Sequence, residues 1–264
     1  MTLLRVDRLS ISYSDKGKNL EAVSTATFSL AFHENLAIVG ESGSGKTSLA
    51  GAFLPPKARR EKKISGSIYF KEKPLWEDPY PPIAFIFQDP QAALDPTMKI
   101  GHQLAEAIFE NKKARYRKAL SLLDEVFLPN VERIFHCYPH ELSRGMLQRV
   151  NIAIALAKNA ELIIADEPTT ALDITTNYQI LSLLQTLQEK RGFSLLLISH
   201  HLALVRTLCA RTIVMHQGRI IEEGKTEDLF AHPRHPATQK LIASAHFFSH
   251  NKELPSTTQP LEAL

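Results

Sequence analysis

Gly40-Glu41-Ser42-Gly43-Ser44-Gly45-Lys46-Thr47 follows the apolar run Leu36-Ala37-Ile38-Val39. The spacing is G-x-x-x-x-G-K-[ST], with a predicted strand before it and a predicted helix, Thr47 to about Leu54, after it. That context separates a phosphate-binding loop from a glycine-rich turn that holds nothing. Gly40, Gly43 and Gly45 let the backbone curl until successive N–H groups point inward at an anion, and the helix N-terminus behind them adds positive charge. Lys46 is expected to reach the β- and γ-phosphates of a nucleotide, and Thr47 to offer its hydroxyl to Mg²⁺. The nucleotide-facing stretch runs from Gly40 through Glu41, Ser42 and Ser44 to Ser48.

The 264 residues suit one large α/β domain with at most a small appendage. Hydrophobic residues at 44% and charged residues at 22% are ordinary for a globular protein. A net charge of +3 makes no case for nucleic-acid binding, and the basic clusters at 57–63 and 112–118 read first as solvated turns or helix faces. Cys137 and Cys209 stand alone, so neither a disulfide framework nor a metal cluster is indicated and a reducing cytosol is expected. Asp7 and Arg8 interrupt any secretory leader, and no apolar run is long enough to span a membrane.

Around the loop, Leu9, Ile11 and Tyr13 alternate with serines, and Phe28, Leu30, Ile68 and Phe70 continue that period of two; this predicts an antiparallel β arm. The runs Leu36–Val39, Ile83–Phe87, Leu162–Ala165, Leu195–Ile198 and Ile213–Met215 are apolar throughout, as strands of a parallel sheet covered on both faces are. Helical patterns at about 100–127, 146–158 and 174–190 lie between them, so the expected fold is a doubly wound α/β sheet of the P-loop NTPase kind. Residues 100–140 break the strand rhythm and read as the heart of a helical insert spanning about 90–160. The domain is expected to occupy 1–231; from His232 to residue 264 prolines punctuate a less regular tail, loose at its end.

Ligands of such sheets sit at the carboxyl ends of the strands. Leu162–Ala165 ends in Asp166 and Glu167, which places Asp166 to hold Mg²⁺ and Glu167 to polarise an attacking water; taken alone, the same pair reads equally as a solvated strand end. Adjacent carboxylates are expected to repel unless a cation lies between them. His200 ends Leu195–Ile198 and Gln88 ends Ile83–Phe87; the amide of Gln88 suits both Mg²⁺ and the attacking water. The convergence of Gln88, Asp166, Glu167 and His200 with Lys46 points to a hydrolytic site more strongly than any one of them.

Tyr138-Pro139-His140-Glu141-Leu142-Ser143-Arg144-Gly145-Met146-Leu147-Gln148-Arg149 resembles the signature segment of ABC-transporter ATPases, and Ala165-Asp166-Glu167-Pro168-Thr169-Thr170-Ala171-Leu172-Asp173 resembles their Walker B strand and D-loop. With Gln88 as Q-loop, His200 as switch histidine and Tyr13 as the aromatic that stacks on adenine, the likeness covers residues 1 to about 230 in the family's order. Phe87-Gln88-Asp89-Pro90 and the runs Tyr138–Ser143 and Asp166–Asp173 resemble the peptide/nickel importer group. Gly145–Arg149 and Ser244-Ala245-His246 are similar to the smaller nickel-import ATPase, as is the want of the cysteine-bearing extension frequent in peptide members.

The resemblance implies a cytoplasmic, peripheral subunit that binds ATP with Mg²⁺ and hydrolyses it to drive import of nickel, a metallophore or a di- or oligopeptide. It implies a second, related ATPase as heterodimer partner, two transmembrane permeases and an external substrate-binding protein. Leu142, Ser143, Arg144, Gly145 and Met146 would then cap ATP held by the partner's phosphate loop. Arg144 stands where the family has glycine, and His201 stands where the switch histidine is usually followed by Asp. His232, His235, His246 and His250 invite a metal reading, but Pro233 and Pro236 break helical spacing and no carboxylate or cysteine completes a site. Two rivals stay open: a soluble ABC ATPase of the translation or repair type, and a regulatory subunit that binds ATP and hardly turns it over because of Arg144.

Overall fold

The apolar runs form five strands of the six-stranded sheet β10-β9-β3-β8-β7-β6 of a computed structural model that describes residues 1–15, 18–55, 62–78, 81–170 and 172–249. Five strands are parallel: β3 (Asn35–Val39), β6 (Ile83–Ile86), β7 (Leu162–Asp166), β8 (Ser194–Ile198) and β9 (Arg211–His216). β10 (Arg219–Lys225) folds back antiparallel on β9 through Gln217 and Gly218, both at positive φ. A second sheet, β2-β1-β4-β5, is the predicted antiparallel arm: β1 (Thr2–Asp15) pairs with β2 (Lys18–Ala31) and β4 (Lys62–Phe70), with β5 (Lys73–Pro74) at its edge.

The parallel strands divide their side chains strictly. Leu36, Ile38, Leu162, Ile164, Leu196 and Ile198 turn toward the arm and α1 (Lys46–Gly51). Ala37, Val39, Ile163, Ala165, Leu195 and Leu197 turn toward the other helices. One face expected to lie under helices is therefore covered chiefly by the antiparallel sheet, which explains why Leu9, Ile11, Phe28 and Leu30 alternate: they are the arm's inward row.

The helices on the other face are α2 (Ile100–Glu106), α3 (Lys112–Glu125), α4 (Val131–His136), α5 (Arg144–Ala157), α6 (Ile174–Arg191), α7 (Leu202–Leu208), α8 (Thr226–Ala231) and α9 (Pro236–Ser249). The single pattern at 100–127 is two helices, because Asn111 accepts a hydrogen bond from the Ala114 N–H at 3.0 Å and starts a new one. The tail expected to be irregular contains α9, whose Leu241 and Ile242 join the helical core. Residues 57–61 of the first basic cluster, Ala171, His250 and the end of the tail lie outside the described residues.

Candidate active site

Because β3, β8, β7 and β6 are parallel neighbours, one edge of the sheet presents the phosphate loop, His200, Asp166 with Glu167, and Gln88 in that spatial order. The loop is tightly backed. A Cβ on Gly45, at φ +100, would sit 2.3 Å from the Ala22 carbonyl oxygen of β2, so only glycine lets the arm come so close. The Gly218 N–H donates to the Ser44 carbonyl at 3.0 Å, so the β9–β10 turn supports the loop from behind. No side chain caps the N-terminus of α1, which leaves its first N–H groups to a ligand.

Lys46 is buried, and its ammonium donates to the Gly40 and Glu41 carbonyls, both at 2.9 Å, and to Ser44 Oγ at 3.3 Å. Burial lowers its pKa, opposed by the charges of Glu167 and Asp166. Thr47 Oγ1 donates to Asp166 Oδ1 at 3.4 Å. Ser48 accepts a 3.0 Å hydrogen bond from the hydroxyl of Tyr13, a half-buried residue of β1; the predicted stacking aromatic thus stands beside α1. Glu41 forms an exposed ion pair with Lys240 of α9 at 3.3 Å, while Ser42 and Gly43 are exposed.

Asp166 and Glu167 diverge rather than confront each other. Asp166 is buried and its pKa rises to about 6, mainly through desolvation; the charge of Glu167 is a lesser cause, so the expected repulsion is not what governs the pair. Glu167 stands at φ +46, outside the region most side chains prefer, held there by its N–H to the Ile198 carbonyl at 2.8 Å. Its carboxylate meets His200 Nδ1 at 3.1 Å, the Gln88 amide at 3.3 Å and the Thr170 hydroxyl at 2.7 Å. The hydrogen bond from His200 first, then that from Thr170 and the charges of His200 and Lys46, hold its pKa down to about 2 against burial, which raises it. Gln88 thus meets Glu167, and no hydrogen bond joins it to Asp166 or Thr47 among the described residues. Sequence reasoning missed Thr170, whose signal was its position three residues after Glu167, within reach of a tight turn.

Thr47 and Asp166 make an all-oxygen donor set that suits a hard divalent cation. The residues present fit a Mg²⁺–nucleotide. The signature is built apart from this edge. After a 3₁₀ turn at Pro139–Glu141, Ser143 caps α5 by accepting from the Met146 N–H at 3.3 Å. Ser143 and Arg144 are exposed, Leu142, Gly145 and Met146 partly so, and none bonds to the phosphate loop among the described residues. A Cβ on Gly145 would lie 2.9 Å from Cγ2 of Thr176 in α6. In the tail, His235 Nδ1 accepts from the Ala237 N–H at 3.1 Å, and Glu222 accepts from the Arg234 and His235 N–H groups.

A protein-family model described as "ABC transporter" matches residues 23–170. The chain is 42% identical over 255 residues to the oligopeptide transport ATP-binding protein OppD of Bacillus subtilis, covering 92% of this chain and 71% of that one. It is 42% identical over 268 residues to the dipeptide transport ATP-binding protein DppD of Haemophilus influenzae, covering 96% and 80%. Among solved structures it is similar to the ATP-binding cassette MJ0796, dimeric and bound to ADP and Pi, with TM-score 0.73 and 26% identity over 85% of this chain and 99% of that one. It is also similar to cbiO1 from Clostridium perfringens, part of the transporter complex cbiONQ, with TM-score 0.71 and 25% identity over 94% and 99%.

Proposed function

The chain belongs to the ABC transporter family, and on that premise we propose that it hydrolyses ATP at the cytoplasmic face of a membrane to drive uptake of di- or oligopeptides. The observation that carries the hydrolytic reading is the Glu167 carboxylate, fixed by His200, Gln88 and Thr170 beside the phosphate loop. Lys46 and the loop amides hold the β- and γ-phosphates, and Tyr13 stacks on the adenine. Thr47 and Asp166, with Gln88, hold Mg²⁺, which when bound neutralises charge on the phosphate oxygens. Glu167 accepts a hydrogen bond from the attacking water and aims its oxygen at the γ-phosphorus. That P–O bond forms as the bond to the β–γ bridging oxygen breaks, leaving ADP and phosphate. A carboxylate held near 2 is a weak base, so its part is orientation more than proton abstraction. His200 keeps it aimed and stands ready to contact the γ-phosphate.

Leu142–Met146 faces outward, which supports a role on ATP bound by a second, related ATPase. Two permeases that span the membrane and an external binding protein complete the importer; in this chain no helix among the described residues is long and apolar enough to cross a membrane. The similar proteins named for oligopeptide and dipeptide transport favour peptide over the nickel suggested by Gly145–Arg149 and Ser244–His246.

Glu167→Gln keeps the shape, removes the charge and turns one of the two accepting oxygens into an NH₂ donor. ATP affinity should be unchanged while turnover at this chain's site, read in a purified transport complex whose partner ATPase is inactivated, falls by roughly a hundredfold or more. Turnover like that of the wild type, in a complex whose hydrolysis depends on this chain's site, would sink the assignment.

A further inference from the structure

We infer that Asn151 is a positioning residue that ties the signature helix to the segment carrying Gln88, so that the signature and the catalytic carboxylate are aligned as one piece. The inference rests on the hydrolytic reading of this site.

Asn151 lies in the middle of α5, where asparagine is a weak helix former, and it is 5% exposed. Its Nδ2 donates to the Pro90 carbonyl at 3.0 Å. Pro90 is itself buried, and without Asn151 that carbonyl would lose its partner away from water. Gln148, one turn toward Ser143, is 1% exposed with both amide atoms unpartnered, so it does not share the task.

The segment after Gln88 is stiff enough to transmit position. Asp89 Oδ1 accepts from the Gln91 and Ala92 N–H groups at 3.0 and 3.3 Å, and its carbonyl accepts from the Ala93 N–H at 3.3 Å. Farther on, Gln103 of α2 bonds to both the N–H and the carbonyl of Asp95. Pro90 is two residues from Gln88, whose amide meets Glu167 at 3.3 Å. In the other direction, eight residues of rigid helix, about 12 Å, separate Asn151 from Ser143. The path Ser143, α5, Asn151, Pro90, Gln88, Glu167 is continuous, and Asn151–Pro90 is its link between elements distant in sequence.

A buried amide that serves stability alone would give a different result from one that acts through Gln88. In the full chain without nucleotide, Asn151→Ala should speed amide hydrogen exchange at Ala93 and Leu94 while β7 stays protected. In the transport complex purified through a tag on this chain, kcat should fall about tenfold with ATP affinity held within about twofold, the scale of one lost buried hydrogen bond. In a Gln88→Ala background the same change should cost less than about twofold more, because the path is already cut. Asn151→Ser, too short to reach Pro90, should behave alike and guards against a folding defect. Unaltered exchange at Ala93 and Leu94, or losses that add fully to those of Gln88→Ala, would overturn the inference. With the partner ATPase inactivated, turnover that ignores Glu167→Gln would instead overturn the hydrolytic reading, and the inference with it.

Discussion

Asp166 and Glu167 are consecutive, yet burial lifts the first to about 6 while hydrogen bonds from His200 and Thr170 help hold the second near 2. The difference comes from what each side chain faces, and it assigns them separate work at one strand end. His200 is raised above 6.5 by the same contact with Glu167, whereas burial and the neighbouring charge of His200 lower His201, whose ring centroid is 4.1 Å away. The His201 backbone N–H bonds to Ser199 Oγ at 3.0 Å, and the replacement of the family's aspartate puts no carboxylate at position 201 to compete with Glu167 for His200. The stabilisation from His200 is complete below 6.5 and is lost as pH rises through its raised value; that from Glu167 is complete above 4.5 and is lost as pH falls toward about 2. The pair therefore contributes most between 4.5 and 6.5. His200 is 45% exposed, so solvent screening limits the contribution to about 1 kcal/mol or less. Urea midpoints of the wild type and His200→Ala should differ most near pH 6 and converge toward pH 9. A gap that widens with rising pH would contradict the ion pair.

The elements that could be read from sequence are those whose local chemistry agrees with their packing. α6 was legible from 174 to 190 because Asp173 caps it, accepting from the Thr176 N–H at 2.9 Å, and Gly192 closes it at φ +71. β10 was not: it is a partly exposed edge strand without the apolar run of its neighbours, and only the Gln217–Gly218 turn announced it. α9 was hidden because Pro236 was read as a breaker, when as the first residue of a helix it gives up no hydrogen bond. Gly145 shows a constraint that spacing alone does not reveal. Thr176 Oγ1 bonds to Asp173 Oδ2 at 2.6 Å, which fixes the Thr176 methyl where a Cβ on Gly145 would come to 2.9 Å. Gly145→Ala should destabilise the protein by about 1–2 kcal/mol despite alanine's better helix propensity. Thr176→Ser keeps the hydroxyl and removes the methyl, so in that background Gly145→Ala should be neutral or stabilising by denaturant melts. A loss of equal size in both backgrounds would place the cost elsewhere.

At the scale of the whole molecule, the strand-end residues were legible because parallel strands bring their carboxyl ends to one edge whatever lies between them. Thr170 and the Asn151–Pro90 bond were not, since the first depends on the turn after Glu167 and the second joins positions 61 apart in the chain. On the proposal that the signature caps ATP held by a second subunit, Arg144 matters to that subunit's ATP. Arg144 is exposed at the first residue of α5 and forms no hydrogen bond or ion pair among the described residues. In a heterodimer whose partner has glycine at this place, the site on Lys46, Asp166 and Glu167 is capped by an unmodified signature, while the partner's site is capped by Ser143, Arg144 and Gly145. A side chain where glycine would admit close backbone approach loosens one charge-assisted hydrogen bond, worth about 1.5–3 kcal/mol or roughly ten- to a hundredfold in rate. A guanidinium that itself reached the phosphate would offset that loss, and Arg144→Gly separates the two: turnover at the partner's site should rise if the side chain obstructs and fall if it assists. The site built on this chain should therefore carry most of the hydrolysis. With one catalytic glutamate replaced at a time in the reconstituted importer, Glu167→Gln should abolish most turnover and the partner's equivalent change should spare most of it. The reverse pattern would mean that Arg144 strengthens the site it caps.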